Sequence, residues 1–472
     1  MNVFVTSLKD KLKELFTLDL RSLALMRIGT GVVVVIDLID RLKDINVFYN
    51  ASGVTPYSAP TGGIFFHVFN LLWKNQALEI LVFFIAFLLA ISLILGFKSK
   101  LSTILLLLIE ILLVNQNNYV FFGVDTFIQT TLFWGIFLPW DRWFSVKRTD
   151  KTIPTKVITS AGIAYLFQLA LIYFVASLLK SGYVWTDGTA VAYTLMSWFG
   201  DPAVAPLLLN YPALTTMLTY STLVIQHAFP ILLFFPLKNW VFRTLAILSV
   251  IGMQIGINVS MVLGVFGTIA TVMLIGALPT ELVDLILRRK KPAHQNVTVS
   301  VSPPTLLIFL LILAFVLLIN VQTLTPLKGK VLLPDIVFFF TSKTAAINQN
   351  LGFFSPNPAT RQYSVAAPLL LDGGNTVDAM TDTSYDAERF DPQDIGRKFS
   401  NRWIKYFDII AGLKVELYWK PFALYLCNEW NKNNDQQAAT AQVILAERLI
   451  SLDPSFTFKT QKTSFGPYEC KN

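Results

Sequence analysis

Charge is scarce in this chain. Only 14% of its 472 residues are Asp, Glu, Lys or Arg, against about a quarter in an ordinary soluble protein. That scarcity excludes a disordered chain and a cytosolic enzyme. Cysteine and histidine are scarcer still, at two and three residues. Neither an iron–sulfur protein nor a cysteine-based zinc protein can be built from so few, and the scattered histidines give no metal-ligand spacing. Two cysteines also do not make a disulfide-rich mini-protein. There is no internal repeat, so the duplicated halves typical of transporters are missing.

What is present is hydrocarbon. Hydrophobic residues make up 54% of the chain and aromatics 13%. Nine apolar runs approach the roughly 20 residues needed to cross a bilayer as a helix. They fall near 22–41, 77–96, 101–120, 125–140, 158–179, 216–236, 243–263, 264–287 and 305–325. The first is not a cleavable signal, because it carries Arg27, Asp37, Asp40 and Arg41 and lacks a small-residue cleavage site. The expected fold is an all-α polytopic membrane domain of about nine transmembrane helices, residues 1–325, followed by a small β-rich exoplasmic domain, residues 326–472.

A net charge of +8 suits either nucleic acid or a membrane surface. Its placement decides. With the N-terminus inside, seventeen lysines and arginines fall on the inner side and four on the outer, a strong positive-inside bias. The charge is therefore topological and no nucleic-acid partner is expected. The chain reads as a multi-pass protein of the cell membrane in contact with lipid, its N-terminus cytoplasmic and its C-terminal domain exoplasmic. Cys427 and Cys470 then lie on the oxidising side, where a disulfide is permitted and two free thiols are the alternative.

Between the spans, residues 3–20 read as an interfacial helix, and 43–76 as a loop folding back over a cavity. The aromatic loop 181–215 is expected at the interface, and 334–350 as a re-entrant or interfacial segment. Asp372-Gly373-Gly374 signals a hairpin turn.

Ionisable and amide groups at membrane depth are costly and therefore informative. Asp37 and Arg41 are four apart and can pair on one helix face. Arg27 has no such acid and needs a partner from another helix, with Glu110 a candidate. Asn115 to Asn118, then Tyr119, form an amide patch at the end of the third span. Gln226 and His227 sit on the sixth span, and Gln254 and Asn258 on the seventh, where Gly252, Gly256 and Gly264 are expected to permit close helix packing. Lys180 ends the fifth span. A lysine there can simply reach out to the interface, or, if buried, act as a general base.

Several stretches resemble the horizontally transferred transmembrane (HTTM) domain family, the relatives of vitamin K-dependent γ-carboxylase. They are LALMRIGTGVVVVIDLIDRLKDINVFYNASGVTP (23–56), YFVASLLKSGYVWTDGTAVAYTL (173–195) and GMQIGINVSMVLGVF (252–266), then FFSPNPATRQY (353–363), LLLDGGNTVD (369–378), RWIKY (402–406) and YLCNEWN (425–431). The resemblance implies nine membrane helices with an outer C-terminal domain. It also implies a base at Lys180 acting on reduced vitamin K or another quinol, in a lyase that carboxylates glutamates of a secreted substrate. The candidates to orient the ring oxygens are Asn117, Asn118, Tyr119, His227 and Gln254. The chain departs from the carboxylase where that enzyme carries histidines, having Asn118 or Tyr119 at one place and Gln254 at another, and Leu179 in place of a lysine.

Three readings follow. The first is a quinol-dependent membrane enzyme without a metal, in a bacterial cytoplasmic membrane. The second is a non-catalytic membrane component assisting maturation or export of a secreted peptide or protein. The third is a transporter, which the missing duplication disfavours.

Overall fold

A computed structural model describes residues 11–50, 53–54, 75–146, 154–288, 297–322, 349–391, 394–452 and 459–470. Each apolar run forms helix. In chain order these are α1 (Leu20–Lys43), α2 (Gln76–Leu95), α3 (Ser99–Gln116), α4 (Gly123–Phe137), α5 (Ser160–Leu179), α6 (Pro212–Leu233), α7 (Asn239–Ser260), α8 (Phe266–Ile275), α9 (Thr280–Ile286) and α10 (Pro303–Val321). Local chemistry sets several ends. The side chains of Asp19, Asn75 and Thr159 accept from the first free amides of α1, α2 and α5, and Gly96 closes α2 at φ +72°.

Seven of the described helices are long and apolar enough to span a membrane, or eight if α8 and α9 form one broken span. This differs from the expected nine at two places. Helix α4 has 15 residues, about 22 Å of helix against a core of about 30 Å; it is largely buried among its neighbours. Helices α8 and α9 are bent by 105° at a short break, where Pro279 caps α9. The segments expected at 3–10, 55–74 and 334–348 lie outside the described residues.

The bundle has two unlike ends. At one, strands β1 (Leu18–Asp19), β2 (Lys156–Thr159) and β3 (Thr298–Ser300) form a small sheet, antiparallel then parallel, leading into α1, α5 and α10. Arg21 bridges Asp19 and Asp284 there, at 2.6 Å to each. The C-terminal domain docks on the other end. Its sheet comprises β4 (Arg361–Ala366), β5 (Pro368–Leu371), β6 (Thr376–Asp378), β7 (Thr383–Ser384), β8 (Ala438–Leu449) and β9 (Gln461–Glu469). The long β8 carries β4 and then β5 along one edge and β9 along the other. The expected hairpin turns at Asp372–Gly374 between β5 and β6.

The domain is not simply β-rich. Helices α11 (Asn401–Leu413) and α12 (Glu416–Asn433) cover the sheet, burying Trp403, Phe407, Trp419 and Phe422. Cys427 on α12 is disulfide-bonded to Cys470 beyond β9.

Docking rests on a buried ion cluster. Arg41 donates to Asp37 at 2.6 Å, Asp125 at 2.5 Å and Glu110 at 3.2 Å, so the expected Asp37–Arg41 pair forms. Arg402 of α11 enters the same cluster and donates to Asp37 at 2.6 Å and Asp125 at 3.1 Å. All five side chains are at most 3% exposed. Arg27 does not pair with Glu110. It donates instead to the carbonyls of Leu93 and Phe144, at 3.0 and 2.7 Å, because Glu110 faces Arg41 and a guanidinium can be satisfied by carbonyl oxygens.

Candidate ligand cavity

Ile172, Tyr173, Ala176 and Lys180 recur at helical spacing, so α5 presents them on one face. Leu218, Ser221, Thr222, Ile225 and Gln226 do the same on α6, as do Ser249, Gly252, Met253, Gly256 and Ser260 on α7. The three faces enclose a cavity of about 590 Å³, within the usual range for small-molecule sites. The loop 181–215 closes it with short helices at Ala190–Met196 and Ala205–Leu209. That loop covers the cavity: Trp185 and Trp198 are buried, the latter stacked on Tyr363 of β4, while Tyr183, Leu207 and Tyr211 are exposed on its outside.

The remaining wall is aromatic. Phe127 and Phe266 pack against Phe353 at ring-centre distances of 5.6 and 5.2 Å. The turn carrying Phe353 and Phe354 is pinned by Trp185 Nε1 donating to the Phe354 carbonyl at 3.0 Å and by Gly182 N donating to that of Pro356 at 2.9 Å. On its far side lies a more polar cleft of about 490 Å³, lined by Asn350, Asn357, Lys405 and Asp408, which shares Phe266, Phe353 and Phe354 with the cavity.

Lys180 caps α5 one residue beyond the span and is 7% exposed. Its Nζ donates to the Ala176 carbonyl at 3.0 Å and stands 5.3 Å from the Trp185 ring centre. No carboxylate pairs with it among the described residues. Burial disfavours the charged amine and lowers its pKa from 10.5 to about 7. Two glutamines supply unsatisfied polar atoms: Gln226 and Gln254 are 6% and 3% exposed, and the Oε1 of each lacks a hydrogen-bond partner. Because amide O and N are assigned from such partners, each glutamine offers a ligand one unused donor or acceptor. Tyr173 stands beside Gln254.

The structure brings Lys180 and Gln254 together and places the other candidates elsewhere. Asn117 donates to the Phe48 carbonyl at 2.9 Å and accepts from Tyr119 N at 3.0 Å. The Tyr119 hydroxyl donates to that of Tyr418 at 2.9 Å. The amide patch is therefore a joint between α3, the chain after α1 and the C-terminal domain. Asn118 lies in a short turn, and its side chain is outside the described residues. His227 is exposed, its ring nitrogen on the Leu223 carbonyl. Adjacent helical residues point about 100° apart, so Gln226 faces the cavity and His227 does not. Sequence reasoning passed over Tyr173, although its position seven residues before Lys180 marks the same face.

Gly252 and Gly256 do not pack against another helix. They line the cavity, and a Cβ on either would meet no atom within 4 Å. Gly264 does mediate close approach: at φ +57° it meets the Asn401 side chain of α11.

No curated protein and no solved structure matches the chain. A family model described as the HTTM domain matches residues 17–275, more than half of the sequence. The match takes in α1 to α8 with Lys180, Gln226 and Gln254 of the cavity. This integral membrane protein belongs to the HTTM domain family.

Proposed function

We propose that the chain is a membrane enzyme of the quinol-dependent kind, with Lys180 as its base. One observation carries this reading: among the described residues, a buried amine with no acid partner faces an apolar cavity whose only other buried, unsatisfied side-chain atoms belong to two glutamine amides. A ring lipid bearing hydroxyls matches that set, and a reduced quinone, when bound, would supply a hydroxyl proton of usable acidity and a reactive ring. Gln254 and Gln226 orient the ring oxygens. The neutral Lys180 amine takes the hydroxyl proton at Nζ, and Trp185 stabilises the ammonium formed. The phenylalanine wall keeps water from the resulting oxyanion. Glutamate carboxylation is the less supported half of the resemblance, because Gln254 cannot shuttle protons near neutral pH as histidine can.

Basic residues gathered at the small-sheet end (Lys98, Lys100, Lys156, Lys238, Arg243 and Arg288) support a cytoplasmic N-terminus. The disulfide supports an exoplasmic C-terminal domain. The polar cleft beside Phe353 favours a second reading, in which a secreted peptide or protein docks there for maturation.

The test uses full-length protein in lipid nanodiscs with 2-methyl-1,4-naphthohydroquinone. Lys180→Met is expected to abolish quinol turnover while the protein stays folded and still binds the quinone. Undiminished turnover would overturn the assignment.

A further inference from the structure

We infer that the cavity opens sideways into the bilayer through a notch at Gly252 and Gly256, and that its ligand is a tailed lipid whose hydrocarbon tail runs out through that notch. The argument begins with exposure along α7. Leu245, Leu248, Ile255 and Val259 are 53%, 51%, 56% and 57% exposed and recur at helical spacing. On a membrane span such a stripe faces acyl chains. Gly252 and Gly256 complete the stripe, and both are exposed. They also line the cavity. Their place at the boundary between the exposed stripe and the cavity face puts the edge of the cavity at the outer surface of α7.

The partner helix agrees. On α6, Met217, Tyr220, Val224 and Ile231 form a second exposed stripe, with 57%, 44%, 65% and 67% exposure, while its adjacent face lines the cavity. Near the small-sheet end α6 and α7 are joined, Asn239 donating to the Leu233 carbonyl at 3.0 Å. At the level of the cavity Gln226 Nε2 still reaches Met253 Sδ at 3.8 Å, but beside Gly252 and Gly256 no neighbouring atom comes within 4 Å of where a Cβ would stand. Gly252 and Gly256 stand 13 and 17 residues after Asn239, about 20 and 26 Å along the helix. That is still within a hydrocarbon core of about 30 Å.

Depth and chemistry then select the ligand. A mouth flanked by Ile255 and Val259 gives a water-borne molecule no polar partner on entering, whereas a hydrocarbon tail passes between like surfaces. Glycine leaves the gap that any side chain would fill. Seating the polar head at Lys180 rests on the reading above; the notch does not.

Both native cysteines are disulfide-bonded, so one introduced cysteine is a unique thiol. In phosphatidylcholine nanodiscs, Ser221→Cys on the cavity wall is treated with N-(1-pyrenyl)maleimide, which dissolves in the bilayer, or with a charged methanethiosulfonate in water. The bilayer reagent is expected to label faster, and Gly256→Trp to slow it at least tenfold. Leu245→Cys, on the lipid stripe away from the notch, is expected to label equally with and without the plug. If Gly256→Trp fails to fold, Gly252→Leu and Gly256→Leu replace it. Labelling that ignores every plug, no labelling from the bilayer, or faster labelling by the charged reagent would overturn the notch. Plug-sensitive labelling together with quinol turnover independent of Lys180 would keep the notch and discard Lys180 as the base.

Discussion

Replacing Arg402 by methionine tests how the C-terminal domain is held. The substitution keeps most of the apolar stem and deletes the guanidinium that meets Asp37 and Asp125. Asp37, Glu110 and Asp125 would then share Arg41 alone. Removing one partner of a buried ion pair costs about 3–5 kcal/mol, because the other charge stays buried. At about 1.4 kcal/mol per factor of ten, undocking of α11 becomes roughly 150- to 4,000-fold more frequent. Hydrogen exchange read by mass spectrometry in nanodiscs measures this opening directly. Amides of α11 are expected to lose protection by that factor. Adding Asp37→Asn is expected to restore part of it, since it removes an uncompensated charge. A change below threefold, or strictly additive effects, would refute the argument that this cluster anchors the domain.

Three further outcomes are expected. With its pKa lowered to about 7, the Lys180 amine becomes increasingly unprotonated as pH rises through 7, so modification by a lipid-soluble acylating reagent should level off above about pH 8; an ordinary lysine has its midpoint near about 10.4, and finding that midpoint at Lys180 would contradict its burial. Gly264→Ala should lower the thermal midpoint, because a left-handed alanine costs about 1–2 kcal/mol and its Cβ meets Asn401, whereas Gly252→Ala should not; equal melting of the two variants would count against the contact. The disulfide closes a separation of 43 residues, which by loop entropy is worth about 4 kcal/mol; Cys427→Ser/Cys470→Ser should make the C-terminal domain sensitive to proteolysis at temperatures the parent survives, and unchanged resistance would argue otherwise.

The membrane domain was legible because a bilayer-long apolar run has few other uses. Helix α4 was legible as a helix at 125–140 but not as one too short to span, since a 15-residue helix covered by protein need not match bilayer thickness. The break at Pro279 lies inside an otherwise continuous apolar run. Residues 414–426 are apolar and aromatic, which suits strand and helix alike, and they enter α12 despite Pro421. Lys180 and Gln254 could be singled out as polar groups at depth. Whether such a group faces a cavity or a joint depends on the neighbouring helices, and that separated Gln254 from Asn117. Gly252 and Gly256 carry the spacing of a packing motif, but the sequence does not record that the space beside them is open.

The small sheet bears on how the chain assembles in the membrane. Val157 of β2 pairs with Thr298 of β3, so the platform beneath α1 and α5 is complete only after the ribosome has passed residue 300. Early spans therefore wait, laterally inserted but without that clasp, until the start of α10 emerges. Insertion and final consolidation are thus separate events, and a nascent chain stalled before residue 298 would lack the third strand while holding most of its hydrophobic helices.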